Sequence, residues 1–141
     1  MNEIYPTAIL GLWLILSTII VQAMVAIRVH RAQKKYNVGV IDPSLGQSSI
    51  VFRAHRTFQN SIENIIPFFG LVILAMFANY GAEGKLANIV WVYAIARIIH
   101  MVLYYAIATN KNPSIRSIFW AAGFLVTVYL MVDLGVFLIK D

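Results

Sequence analysis

Four apolar stretches, roughly residues 5 to 27, 62 to 79, 86 to 109 and 115 to 139, alternate along the chain with short polar segments. Each approaches the roughly 20 apolar residues that a helix needs to cross a bilayer. The first stretch opens near Pro6, where the missing N–H belongs to a turn that leaves its donors unpaired anyway, and its helix is expected to run past Arg31 to about residue 35. The segment YNVGVIDPSLGQSS, residues 36 to 49, then breaks it with Gly, Pro, Asp and Ser. A second helix starts around Ser49 with polar turns before its apolar half. NYGAEGK, residues 79 to 85, and TNKNPS, residues 109 to 114, read as tight turns into the third and fourth helices. The pattern therefore predicts an all-α membrane protein: one domain over residues 1–141, a four-transmembrane-helix bundle with helices at about 5–35, 49–79, 86–109 and 115–139.

Two polar stripes interrupt the apolar pattern. Arg53, Arg56, Asn60 and Glu63 fall within one narrow sector of the second helix at roughly 100° per residue. Arg97, His100 and Tyr104 repeat the three-and-four spacing on the third. Charged groups at membrane depth are tolerated mainly where they face protein, water or a ligand, so the stripes imply a shared polar cavity. Pro67 follows the first stripe and removes a backbone donor, favouring a kink that would help open that cavity.

Composition agrees with the pattern: 60% of residues are hydrophobic and only 12% charged, unlike an ordinary soluble domain. The chain has no cysteine, which excludes disulfides and thiolate chemistry of its own, so any thiol must come from outside. The formal charge of +5 does not point to nucleic acid, because the basic residues sit at membrane boundaries and form no soluble basic face. Arg28, Arg31, Lys34, Lys35, Arg53, Arg56, Lys111 and Arg116 all belong to the side carrying the first and third loops. The positive-inside rule makes that side cytoplasmic. Only Glu3 precedes the first apolar run, whereas a secretory signal carries positive charge there, so the run is expected to be a retained membrane helix. With no organelle address evident, a bacterial inner membrane is favoured over the endoplasmic reticulum.

Glu63 wants a cation, either Arg97 or Arg56 within the protein or the amine of a ligand. His100 has no convincing set of companions for a metal, and none is proposed. Arg116 and Ser117 open the fourth helix, where a guanidinium is either a boundary charge or an anion holder with fixed donors. Together with Arg28 these residues describe a guanidinium-rich pocket with one carboxylate, suited to a small peptide-like anion. An arginine beside a thiol would favour its thiolate. Asp133 has no obvious partner and is assigned to packing or an oligomer contact. Trp91, Trp120 and Tyr129 are read as core and interface anchors. The small residues Gly70, Ala94, Ala121, Ala122, Gly123 and Gly135 would permit close helix contacts.

The motif R-x-x-R-x-x-x-N-x-x-E at Arg53, Arg56, Asn60 and Glu63, followed by Pro67, resembles the membrane-associated proteins in eicosanoid and glutathione metabolism, the MAPEG family. R-x-x-H-x-x-x-Y at Arg97, His100 and Tyr104, with Arg116 and Ser117, looks like the microsomal glutathione transferase and prostaglandin E synthase branch. Gln59 and Trp120 depart from the prostaglandin synthase pattern, which has arginine and tyrosine there. The resemblance implies a homotrimer holding glutathione as co-substrate between neighbouring subunits, with a lipophilic substrate entering from the membrane lipids. Arg56, Asn60 and Glu63 would then contact glutathione, Arg28 would contribute from the adjacent subunit, and His100 and Tyr104 would complete the pocket. Arg116 would be catalytic, stabilising the glutathione thiolate with Ser117 as helper. The expected activity is that of a glutathione S-transferase, with peroxidase activity as an extension. Its rivals are a lipid-binding accessory protein similar to the five-lipoxygenase-activating protein and, behind it, a small multidrug transporter in which Glu63 couples protons.

Overall fold

The chain folds, in a computed structural model that describes residues 5–140, into four helices: α1 (Pro6–Arg31), α2 (Ile50–Phe77), α3 (Glu83–Ala106) and α4 (Ile115–Lys140). All four are long and apolar enough to cross a membrane, and the described residues contain no named strand. Glu3 lies outside the described residues.

Local chemistry explains the helix ends. At α1 the Gln33 side chain donates to the carbonyl of His30 at 2.9 Å, so the helix stops at Arg31 and not near residue 35. Ser49 caps α2 by accepting the Phe52 N–H at 3.4 Å. α3 begins at Glu83, ahead of the expected residue 86, and the Glu83 carboxylate accepts the Thr7 N–H of α1 at 2.9 Å. That contact satisfies one of the free donors at the start of α1 and sets a negative charge at its positive end.

The core follows from helical spacing. Ala54, Thr57, Ser61, Ile65, Phe68, Val72 and Ala75 form the buried face of α2 at intervals of three and four. Phe68 stacks on Tyr93 of α3 with centroids 3.7 Å apart. α2 and α3 stand between α1 and α4, which do not meet. α1 approaches α3 at Gly11, where a Cβ would come within 2.8 Å of Val90 Cγ1 and 3.2 Å of Trp91 Nε1. The Trp91 indole in turn donates to the Thr7 carbonyl at 3.0 Å.

At the end of the bundle carrying the α2–α3 turn, the Lys85 ammonium pairs with Asp133 of α4 at 2.5 Å, and the buried Tyr80 hydroxyl donates to the same carboxylate oxygen. Asp133 thus has partners within its own chain, correcting the expectation that sequence leaves it to packing or an oligomer contact. Antiparallel α3 and α4 bring the start of one beside the end of the other, a proximity that a separation of 48 positions in sequence conceals. Burial, then the carboxylate, pushes the Tyr80 hydroxyl above its ordinary pKa, so it remains a donor. The turn itself uses left-handed backbone at Asn79 and Gly81, which these residue types adopt at least cost.

Gly11→Ala is expected to lower the thermal midpoint in detergent, because the added methyl must push α3 away at an overpacking cost of about 1–3 kcal/mol. Gly84→Ala, where no described residue lies within 4 Å, should leave it unchanged or raise it. Equal midpoints for the two variants would contradict the close approach of α1 and α3.

Candidate functional site at the loop end of the bundle

The α3 C-terminus organises the opposite end. A helix leaves its last carbonyls unpaired and carries partial negative charge there, yet α3 has no basic residue in its own last turn. Arginines from two of its neighbouring helices supply the donors. From α2, Arg53 donates through Nε to the Tyr105 carbonyl at 3.3 Å and through Nη1 to the Gln47 carbonyl at 2.7 Å. From α4, Arg116 donates through Nη1 to the Ile107 carbonyl at 3.2 Å and through Nη2 to the Thr109 carbonyl at 2.7 Å.

Gln47 joins these parts. Its Oε1 accepts from Arg116 Nη1 at 3.1 Å and its Nε2 donates to the Tyr104 hydroxyl at 3.1 Å. The Arg116 guanidinium also sits over the Tyr104 ring, its carbon 4.1 Å from the centroid, a cation–π arrangement. The first and third loops therefore meet over the end of α3.

Beneath them lies a cavity of about 440 Å³ that brings together six of the residues singled out by sequence: Arg56, Asn60, His100, Tyr104, Arg116 and Ser117. Arg116 is only 6% exposed, and its Nε is buried without a hydrogen-bond partner among the described residues. His100 is buried with its ring tilted against Tyr104. Ser117 has a local task as well, its Oγ accepting the Ser114 N–H at 3.0 Å near the start of α4.

A groove of about 700 Å³ adjoins this cavity and shares Arg56, Asn60 and Trp120 with it. Glu63 and Pro67 line the groove, and beyond them its walls are mainly apolar, including Leu71, Phe124 and Met131. Glu63 lies 3.7 Å from Arg56, with side chains 60% and 36% exposed respectively. A pair 3.7 Å apart and this exposed on the protomer surface is loosely held, which leaves the carboxylate available. Trp120 is no core anchor: it stacks on Phe124 at 5.2 Å and forms the wall between polar and apolar space.

The remaining predicted residues stand apart. Arg97 is buried behind Asn60 and donates to its Oδ1 at 2.6 Å. Arg53 is committed to Gln47 and Tyr105 and lines neither space. Arg28 is exposed on α1 beside Met24, Ile27 and Arg31, on a separate surface of the protomer. Sequence reasoning missed Gln47, which lies in an aperiodic loop, and the wall formed by Thr109, Asn110 and Asn112. The polar run TNKNPS between two apolar spans was the available signal for that wall.

These features define a multi-pass membrane helix bundle with a cationic cavity at one end that opens onto an apolar groove. The chain belongs to the MAPEG family, whose model matches residues 5–136, a family that includes glutathione transferases as well as non-catalytic members. No curated protein and no solved structure matches it.

Arg116→Ala should speed amide hydrogen exchange across residues 107–114, because the carbonyls of Ile107 and Thr109 lose donors that as charged hydrogen bonds contribute about 1.5–3 kcal/mol each. Arg116→Lys should restore part of the protection, since one ammonium cannot reproduce the guanidinium fork. Unchanged exchange in Arg116→Ala would refute this anchoring role.

Proposed function

We propose that the protein is a membrane-bound glutathione transferase, with glutathione as co-substrate in the cationic cavity and a lipophilic electrophile or lipid hydroperoxide in the adjoining groove. The observation that carries this reading is the contact between the two spaces through Arg56, Asn60 and Trp120. A water-soluble peptide thiol and a lipid-soluble partner need such a boundary to meet.

The residues fit the co-substrate. Arg56 and Arg116 offer guanidinium donors to its carboxylates and sulfur, Glu63 an acceptor for its ammonium, and Tyr104 and Asn60 neutral hydrogen bonds. Arg116 retains a buried Nε–H with no partner, the kind of donor that an incoming anion satisfies. A guanidinium near the thiol favours the thiolate, and the proton leaves through the cavity mouth. The sulfur then bonds to the electrophilic carbon as the leaving group departs. Water excluded from the groove would strengthen the guanidinium field acting on the developing charges.

The resemblance to the family supports a homotrimer in which Arg28, exposed and remote from the cavity of its own protomer, reaches the cavity of a neighbour. The first and third loops would then face the cytoplasm, in a bacterial inner membrane. The second reading, a lipid-binding accessory protein, draws on the groove alone. The transporter reading has less support, since Glu63 sits 3.7 Å from Arg56, where it is suited to an ionic ligand.

The deciding measurement is ultraviolet difference absorbance of glutathione thiolate on purified wild-type protein, Arg116→Lys and Glu63→Gln. The expected result is a thiolate band in wild type that is strongly reduced in Arg116→Lys, with Glu63→Gln weakening glutathione affinity by about tenfold, the loss of one charge-assisted hydrogen bond. Wild-type protein that binds lipid but shows neither glutathione binding nor a thiolate band would establish the accessory role.

A further inference from the structure

The Arg97 side chain reaches Asn60 by passing over α4 at Gly123, where α4 has no side chain to obstruct it. A Cβ at Gly123 would stand 3.1 Å from Arg97 Cδ and 3.7 Å from its Cγ. The guanidinium then meets Asn60 at 2.6 Å. Arginine only donates, so the oxygen of the Asn60 amide must face Arg97. The amide nitrogen is left on the other side, and Asn60 lines both the cavity and the groove. Asn60 Nδ2 makes no hydrogen bond among the described residues, and the buried Nη1 of Arg97 has no partner either.

We propose that Gly123, Arg97 and Asn60 form a positioning relay that fixes the hydrogen-bonding sense of the site: Asn60 presents only donors to the cavity, so the ligand group lying against it is an acceptor oxygen, a carboxylate or a carbonyl, and never an ammonium. This rests on the glutathione reading and makes it more specific. The peptide's ammonium belongs at the Glu63 end, and a carboxylate or amide carbonyl belongs at Asn60. Arg97 is a positioning residue, acting through Asn60 and fixing its amide. Gly123 is the gap that allows Arg97 to reach it.

The relay makes the effects of Gly123 and Asn60 interdependent, which double-mutant cycles measure. The variants are Gly123→Ala, Asn60→Ala, the double variant, and Gly135→Ala as a glycine control with no described residue within 4 Å. The first readout is the thermal midpoint without ligand. Gly123→Ala is expected to lower it in the wild-type background and to lower it by less when Asn60 is already alanine, because the bond it disturbs is gone. The second readout is calorimetric affinity for S-methylglutathione, which has no ionisable thiol. Gly123→Ala should weaken binding by about tenfold, the loss of one charge-assisted hydrogen bond, with no further loss in the double variant. Asn60→Asp keeps the Arg97 contact but turns an acceptor toward the ligand, and it should bind more weakly than Asn60→Ala.

Additive midpoints, or Asn60→Asp binding as well as wild type, would overturn the relay. Coupled midpoints in a protein that binds neither glutathione nor S-methylglutathione would uphold the relay and reject the glutathione reading, so the two fail separately.

Discussion

A guanidinium inside an apolar bundle keeps its charge, and removing it from water is costly unless its donors find acceptors. Arg97 and Arg116, each 6% exposed, impose that constraint on everything around them. Among the described residues neither has a carboxylate within salt-bridge distance. Both are met by neutral oxygens: an asparagine amide for Arg97, and for Arg116 a glutamine amide and two backbone carbonyls. Neutral acceptors hold a cation in place without cancelling its charge. The α3 C-terminus, the two loops above it and the orientation of Asn60 are all set by these contacts, and the cavity they enclose stays positive.

The same constraint separates polar from apolar space along α2. Its buried face points into the core, while Arg56, Asn60 and Glu63 occupy a neighbouring sector facing the cavity and groove. Pro67 extends that sector, and its missing N–H leaves a carbonyl without its helical donor next to the groove. Gln59, which replaces the arginine of the prostaglandin synthase pattern, accepts from Arg56 Nη1 at 3.2 Å. A neutral side chain that steadies one arginine thus stands where that pattern has a second cation. Trp120, at the other departure, contributes a broad apolar surface at the boundary where a phenol would offer a hydroxyl.

The four helices were legible because a membrane span writes itself as an uninterrupted apolar run, and the ends shifted by only a few residues where a side chain such as Gln33 or Glu83 captured a backbone group. The stripes on α2 and α3 were legible because helical spacing places residues on a face. Spacing cannot say how far a long side chain bends from its face. Arg53 and Arg56 share a sector, yet one turns to the end of α3 and the other lines the cavity. Gln47 lies 57 residues from Tyr104 and 69 from Arg116, in a loop without periodicity, so no local pattern announces that it joins them. Asp133 and Lys85 were hidden for the same reason.

Buried charge also separates the two leading readings. A protein that only holds lipid is served by the groove, whose apolar walls lie beyond Glu63 and Pro67, and would do better without cations nearby. Arg116 does have structural work, since it closes the end of α3, and that work alone would explain its retention in an accessory protein. It does not explain the buried Nε of Arg116, which has no partner among the described residues. A donor left unsatisfied at that depth costs about 1–3 kcal/mol, more when it is charged. A structural cap has no need of donors in excess, whereas a site that receives an anion must keep some unfilled. That nitrogen, on a side chain that lines the cavity, weighs more than the fold toward the peptide thiol.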